Sequence, residues 1–366
     1  MLGGCGGHHG TTTSTTATTT TSTTPPPLPE PAGVNAGPMF LEPDRYSPAD
    51  VDRLVAGAAA AGVRLMRSDA LWELTERAPP QDGRHTYDWG LDDLTVGTLA
   101  RHGIRWWALV DYSAGWAAQQ PGVLHSPPRD PATYAAFAAA LARRYGPDGD
   151  FWRAHPGLPR LPVVSYEIWN EPDLGAFWPP KPDPAAYAAL YAAAGTAIHA
   201  VQPGAGVFTG GLSYDTSFVP AMLAARPDLA GGGIDGVAVH RYAPTPAAVR
   251  AKVAAHRAAL DGAGLGALPL AVTEVGWQSQ LPHDRHYAAP ADRPRYVAAL
   301  VPGLLGSGCG VVAVLPYAWM SDRAGSRPDQ WLGLVGPEGA STPAARALAR
   351  GLDAQGQRPS ARSACR

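Results

Sequence analysis

Several things are scarce in this sequence. Only 16% of its 366 residues are charged, and 29 Lys plus Arg against 31 Asp plus Glu leave a formal charge of -2. That balance supplies neither the basic face that nucleic acid requires nor the cationic surface that draws a protein to anionic membranes. Lysine is nearly missing: Lys181 and Lys252 are the two, so the other 27 cations (29 - 2) are Arg, which reads as coding bias as much as function. The three cysteines, Cys5, Cys309 and Cys365, show no CxxC or Cys/His spacing for zinc and suggest no disulfide framework. No run of ~18 apolar residues marks a membrane span. No GxGxxG turn follows an early strand, which argues against a dinucleotide fold. What is plentiful is glycine and proline, 42 and 38 residues, and they predict many turns.

The amino terminus stands apart. Residues 11–24 read TTTSTTATTTTSTT and 25–31 read PPPLPEP. Such a stretch has almost nothing apolar to bury against the entropy of ordering, so residues 1–32 are expected to be a disordered Thr/Pro-rich linker. Stalks of this composition are common outside the cytoplasm, which points to a secreted or envelope-bound bacterial protein. MLGGCGG at the start resembles the end of a lipoprotein signal, with Cys5 as the acceptor. The charged and apolar regions that precede such a signal are missing, so a lipid anchor at Cys5 and chance are both open.

From residue 33 short apolar runs alternate with Ala-rich segments of helical period. The pattern predicts strands near 33–37, 62–67, 104–111, 163–170, 206–211, 235–240, 269–274 and 311–317. Helices are expected near 47–61, 89–102, 131–145, 184–201, 216–226, 245–262, 290–306 and 342–353. Ser47-Pro48, Asp130-Pro131 and Asp183-Pro184 each pair a capping residue with Pro at the first helical position. Eight strands each followed by a helix is the count of an α/β (β/α)8 TIM barrel. It would be a single domain over 33–355, with a polar tail at 356–366.

In such a barrel chemistry sits where strands end. The predicted ends read Arg67-Ser68-Asp69, Asn170-Glu171-Pro172, His240-Arg241-Tyr242, Glu274 and Tyr317-Ala318-Trp319. A buried carboxylate is costly unless paired. Two Glu at strand ends, 103 residues apart, are therefore either structural ion pairs or a functional pair, and the polar residues converging with them favour the second. Glu167, on the same strand face as Glu171 under strict alternation, is read as a deeper structural acid paired with an Arg such as Arg64. For Asp69, Asp111 and Asp173, substrate hydrogen bonding and loop capping are both open.

YEIWNEPD (166–173) and VTEVGWQS (272–279), with GVRLMRSDALW (62–72), VAVHRY (237–242) and LPYAWMSD (315–322), resemble the strand-four, strand-seven, strand-two, strand-six and strand-eight segments of the clan A glycoside hydrolases. The likeness runs over roughly residues 33–350 and is greatest to family 39, with family 5 next. It implies a retaining mechanism with two carboxyl groups about 5–5.5 Å apart. By the family pattern Glu171 is the acid/base, with a pKa raised by burial or by its neighbour, and Glu274 is the nucleophile. Arg67 and Tyr242 would donate to Glu274, and Asn170 would bind the sugar 2-hydroxyl. His240 would join the network around the pair, or be a satisfied core histidine. Sugars stack on aromatic rings, so Trp319 is expected beneath the sugar, followed by Trp277, Trp178 and Trp116, while Trp106, Trp107 and Trp169 are assigned to the core. The resemblance implies a carbohydrate partner, a monomer, and no metal or organic cofactor. The near-zero net charge suits a neutral glycan better than a polyanion. A non-catalytic carbohydrate-binding barrel and a transglycosylase using the same residues are the alternatives.

Overall fold

The computed structural model describes residue 1 and residues 28–322, 331–353, 359–360 and 362–365. Cys5 and the threonine run lie outside the described residues. Eight parallel strands pair in chain order: β1 (Val34–Asn35), β2 (Leu65–Leu71), β3 (Arg105–Asp111), β4 (Ser165–Ile168) and β5 (Gly206–Thr209) in one sheet, β6 (Val237–His240), β7 (Leu270–Glu274) and β8 (Val311–Val314) in another. Parallel bridges Phe208↔Gly236 and Leu212↔Val239 join β5 to β6, and Ala32↔Val314 joins the chain before β1 to β8. Pairing thus runs through all eight strands and returns to the first. Every strand falls inside or within a few residues of its predicted segment.

The helices follow the predicted alternation: α1 (Pro48–Ala60), α3 (Gly90–Arg101), α4 (Pro131–Tyr145), α6 (Pro184–Val201), α7 (Phe218–Ala225), α8 (Pro246–Gly262), α9 (Arg293–Leu305) and α10 (Pro343–Asp353). Two short helices were not predicted, α2 (Trp72–Thr75) and α5 (Asp150–Ala154), both too brief to show a period. The predicted starts work as caps. Ser47 forms a capping box with Asp50, Asp130 accepts from Ala132 N at 2.9 Å, and Asp183 accepts from Ala185 N and Ala186 N at 3.0 Å.

The strands are buried on both faces, as parallel strands under helices should be. Leu65, Trp107, Phe208, Ala238, Ala271, Ala313 and Leu315 fill the space inside the strands, and the larger apolar cluster lies between strands and helices. Trp106, Trp107 and Trp169 are core, as expected. Buried tyrosines need a partner for the hydroxyl. Tyr134, Tyr187 and Tyr191, on helices, donate to the carbonyls of Val110, Ile168 and Val207 at 2.6–2.7 Å and so tie α4 and α6 to β3, β4 and β5.

Both termini depart from expectation. Within the segment read as linker, residues 28–32 are packed: Glu30 pairs with Arg105 at 2.9 Å, Val314 N donates to Pro31 O at 3.0 Å, and Ala32 is buried. A short apolar and charged sequence that meets the strand ends can be ordered by them, whatever its composition. The C-terminal tail is fastened too. Cys365 forms a disulfide with Cys309, and Ser360 N donates to Leu305 O at 3.0 Å. The two cysteines therefore do make a bridge, which a separation of 56 residues gave no way to read from spacing.

Candidate active site

The register of β2, β3 and β4 sets Arg67 beside Trp107 and Leu109 beside Glu167. Arg67 is 4% exposed and Glu167 is fully buried, so each charge needs a partner. Arg67 Nε donates to Glu167 Oε2 at 2.9 Å and Nη2 to Oε1 at 3.0 Å. Glu167 also accepts from Trp107 Nε1, Gly211 N and Thr273 Oγ1 at 3.0, 3.0 and 3.2 Å. The remaining guanidinium hydrogens go to Asn35 Oδ1 (2.9 Å), Glu274 Oε1 (3.0 Å) and Asn170 Oδ1 (3.2 Å). Burial lowers the Arg67 pKa, but the charges of Glu167 and Glu274 outweigh it and hold it well above its ordinary value.

The expected partner of Glu167, Arg64, is elsewhere. It precedes β2, and its guanidinium donates to the carbonyls of Ala59 and Val63. Asn35, not singled out in the sequence, orients Arg67 while its own amide donates to Thr273 O and Leu315 O at 2.8 and 2.9 Å. Its signal was a polar residue ending an apolar strand.

Glu274 ends β7, opposite His240 in β6, where the register slips by a bulge. Bulges re-aim side chains, and here two donors converge, with an imidazole nitrogen close by. Arg67 holds Oε1, Tyr242 OH donates to Oε2 at 2.9 Å, and His240 Nε2 lies 3.6 Å from Oε1. Burial, then the Glu274 charge, pushes the Tyr242 phenol well up, so it stays a neutral donor. The other imidazole nitrogen, His240 Nδ1, is 2.8 Å from Glu171 Oε1. One buried ring thus spans the two carboxylates.

Glu171 follows a turn in which Trp169 and Glu171 take φ values of 69° and 43°. Left-handed backbone at non-glycine residues is costly and gathers at functional sites. The turn also breaks the alternation that would have aligned Glu167 with Glu171. Ser213 Oγ donates to Glu171 Oε1 as well. Burial pushes the Glu171 pKa up, but the hydrogen bond and charge of His240, with Ser213 and Arg67, bring it below the ordinary Glu value. For His240 burial pulls down, and Glu274 and Glu171 together lift it above the ordinary His value. The raised Glu171 pKa expected from the resemblance is therefore absent here. His240 Nδ1 lies one hydrogen bond away.

Two glycines make this packing possible. A Cβ on Gly211 would lie 2.0 Å from His240 Nε2, and one on Gly210 would lie 2.3 Å from Trp169 O.

A cavity of about 760 Å³ opens above these residues, walled by Arg67, Asn170, Glu171, Tyr242 and Glu274 together with Asp69, Tyr112, His125, Phe177, Ser213, Tyr214, Arg285, His286 and Tyr317. None of the four expected tryptophans lines it. Trp319 is buried and donates to Leu54 O at 2.9 Å on α1; Trp277 donates to Ala243 O at 2.7 Å and packs on Tyr296. Trp178 is buried against Trp169 and Tyr187, and Trp116 donates to Glu76 O at 2.9 Å against Trp72. An indole offers a large apolar surface and one donor, and these loops use it to pack against the shell. The aromatic wall is instead Tyr112, Phe177, Tyr214, Tyr242 and Tyr317, with Tyr317 two residues from the Trp expected as the floor.

The three open aspartates separate. Asp173 caps the loop after β5, accepting from Ser213 N, Tyr214 N and Asp215 N at 3.0, 2.8 and 3.0 Å. Asp69 is on the cavity wall, and burial pushes it up to about 6 despite Arg67. Asp111 is fully buried behind that wall, and burial, then the charge of Asp69, holds it well above the carboxylate range. Among the described residues no cluster of three or more His, Cys, Asp or Glu is arranged to hold a metal. No helix among them is long and apolar enough to cross a membrane.

No protein-family model matches the chain, and no curated protein does. Solved structures do. A monomeric beta-xylosidase from Caulobacter crescentus CB15 matches with a TM-score of 0.65 at 23% identity, over 88% of this chain and 68% of that one. The GH39 enzyme from Xanthomonas axonopodis pv. citri matches with a TM-score of 0.65 at 22% identity, over 88% and 66%. A GH5_18 protein from Streptomyces cattleya, solved in complex with Manb1-4GlcNAc, matches with a TM-score of 0.64 at 17% identity, over 91% and 83%. The likeness is one of fold, shared with glycoside hydrolases of families 39 and 5, and the chain spans about two thirds of the family 39 chains.

Proposed function

We propose that the chain is a retaining glycoside hydrolase of clan A on a single (β/α)8 barrel, cleaving O-glycosidic bonds of a polysaccharide or oligosaccharide by double displacement. The observation that carries this reading is the buried cluster in which His240 bridges Glu171 and Glu274 while Arg67 and Tyr242 hold Glu274. A nucleophile must be fixed in direction, and two hydrogen-bond donors, one of them a permanent cation, fix Glu274. Glu274 attacks the anomeric carbon, and Glu171 protonates the departing oxygen. Glu171 then takes a proton from the water that releases the sugar from Glu274. Asn170, its carbonyl oxygen held by Arg67 Nη2 and its side chain also bonded to Tyr112, offers an amide hydrogen to the sugar 2-hydroxyl.

The lowered Glu171 pKa fits this chemistry through His240. The pair holds one proton, and its transfer from Nδ1 to Oε1 over 2.8 Å gives the neutral acid that the leaving oxygen needs. After bond cleavage Glu171 is ionised and Nδ1 carries no proton; the proton that Glu171 takes from the attacking water is shared back to Nδ1 and restores the pair. His240 is thus a positioning and proton-storing residue, and loss of its proton should set the alkaline limb of the rate above the ordinary His value of about 6.5.

The disulfide Cys309–Cys365 supports an oxidising compartment, and we extend the proposal to a secreted or envelope-held bacterial enzyme, with Cys5 as a lipid-anchor candidate. We also propose a monomer. The test is stereochemical. With an aryl glycoside that the protein turns over, proton NMR of the first product should show the anomeric configuration of the substrate, and Glu274→Gln should abolish turnover. Inversion, or undiminished activity in that variant, overturns the reading.

A further inference from the structure

Two cations sit at one edge of the cavity with no carboxylate of their own. Arg285, exposed in the loop after β7, donates to the hydroxyl of Tyr214, and its guanidinium carbon is 5.8 Å from that ring's centroid. Lys252, exposed on α8, donates to Tyr242 O at 2.7 Å, with Nζ 6.0 Å from the same ring. Among the described residues neither forms a salt bridge, and the nearby acids are engaged elsewhere. Asp284 accepts from His286 N at 2.8 Å and is 3.1 Å from its Nδ1. Asp215 accepts from Ser217 N and Oγ at 2.8 and 2.6 Å, and Asp173 takes the three backbone donors of the β5 loop. Behind them lies Arg241, buried, bound to the carbonyls of Leu212 and Ser213 and to His256. Burial, then the charges of Arg241 and Arg285, lowers the Lys252 pKa, so the three cations share one field.

This edge has a defined side. Tyr214 follows Ser213, whose hydroxyl donates to Glu171, so it adjoins the carboxyl that serves the departing oxygen. Tyr214 is 54% exposed, an unusual share for a tyrosine on a cavity wall, and a pyranose face can stack on such a ring. Resting on the hydrolase reading, we propose that Tyr214, Arg285 and Lys252 form a leaving-group subsite for a sugar that carries a carboxylate, a uronic acid residue. The overall charge near zero pointed to a neutral glycan; the charge at this edge points the other way. A carboxylate on a ring stacked over Tyr214 meets two cations, Lys252 and the guanidinium hydrogens of Arg285 that Tyr214 OH and His286 Nε2 leave over, Nε donating to the latter at 3.2 Å.

The test separates this site from the hydrolase reading. Rates are compared for two aryl glycosides of one glycone, the 4-nitrophenyl and the 3-carboxy-4-nitrophenyl forms, so that the ratio of kcat/KM isolates the carboxylate. In parallel, NMR titrations compare methyl β-glucuronoside with methyl β-glucoside. Two exposed ion pairs are worth roughly two- to thirtyfold together. Wild type should prefer the carboxylate in that range, less so at 0.5 M salt, and Arg285→Glu and Lys252→Glu should each reduce or invert the preference. Equal preference in wild type and both variants, with turnover that still depends on Glu274, overturns the subsite and leaves the hydrolase intact. Preferential binding of the glucuronoside that Arg285→Glu removes, with no preference in kcat/KM for the carboxylated aryl glycoside, overturns the leaving-group role and leaves only a carboxylate-binding site.

Discussion

Glu167→Gln tests the architecture beneath the site. Glu167 is fully buried and receives hydrogen bonds on both oxygens: Arg67 Nη2, Gly211 N and Thr273 Oγ1 on Oε1, Arg67 Nε and Trp107 Nε1 on Oε2. Every partner is a donor. Glutamine keeps the shape but must aim an NH₂ group at one of these sets, so at least two bonds are lost, one of them to a guanidinium. Hydrogen bonds to charged groups are worth about 1.5–3 kcal/mol, and breaking a buried ion pair costs about 3–5 kcal/mol. With about 2.1 cal/mol/K of unfolding entropy per residue, a chain of 366 residues should lose roughly 4–7 °C in Tm. Arg67 would then be held by Glu274 and Asn35 without its deeper anchor, and the direction of Glu274 would loosen with it. Differential scanning calorimetry reads the first effect. Aryl glycoside kinetics read the second, as a fall in kcat/KM with no rescue by azide, because Glu167 does not attack; the alkaline limb moves down, because the variant removes a negative charge 4.0 Å from His240 Nε2. A variant with unchanged Tm and full activity refutes the reasoning, and so does azide rescue at this position.

Gly211→Ala should displace His240, because the new methyl would lie 2.0 Å from Nε2; we expect at least a tenfold loss of kcat/KM and about 1–3 kcal/mol of stability, whereas Gly157→Ala, with open space around it, should change neither. Cys365→Ser should lower Tm by on the order of 3–5 °C from the entropy of a loop closed over 56 residues, and leave kcat/KM at 25 °C unaltered, because Cys309 precedes β8 at the end away from the carboxylates; a melt and a rate assay check both. Asp92, buried in the first turn of α3 and accepting from Thr75 Oγ1 at 3.0 Å, is pushed by burial up to about 7. An acid held more tightly protonated when folded loses stability as pH rises from about 4 to about 7 and no further. Denaturant titrations should find Asp92→Asn equal to wild type at pH 4 and more stable at pH 8 by on the order of 2–4 kcal/mol.

Much of the architecture was legible because parallel strands buried on both faces and capped helices write themselves locally, in apolar runs and in Ser-Pro or Asp-Pro starts. The carboxylates were legible because a charged residue ending an apolar strand has few structural reasons to be there. What failed was partner choice. Arg64 and Arg67 are three residues apart in one apolar run, and only the start of β2 decides which of them points inward. Trp319 and Tyr317 are two apart, and packing of the indole against α1 decides which ring reaches the cavity. The alternation argument for Glu167 and Glu171 failed at the left-handed turn of Trp169 and Glu171, a departure that only tertiary packing sustains. The edge formed by Tyr214, Lys252 and Arg285 comes from three distant segments, and no local pattern joins them. The disulfide and the packed residues 28–32 are likewise contacts between remote parts of the chain.

The measurement that bears most directly on the central claim is chemical trapping of the glycosyl-enzyme. A 2-deoxy-2-fluoro glycoside with a good leaving group slows release of the sugar more than its capture, so a retaining enzyme accumulates the adduct. Mass spectrometry of the digested protein, with the glycone taken from the aryl glycoside it turns over, should find a single adduct on Glu274 and none in Glu274→Gln. An adduct on Glu171 or Glu167, or turnover with inversion and no adduct at all, would contradict the account.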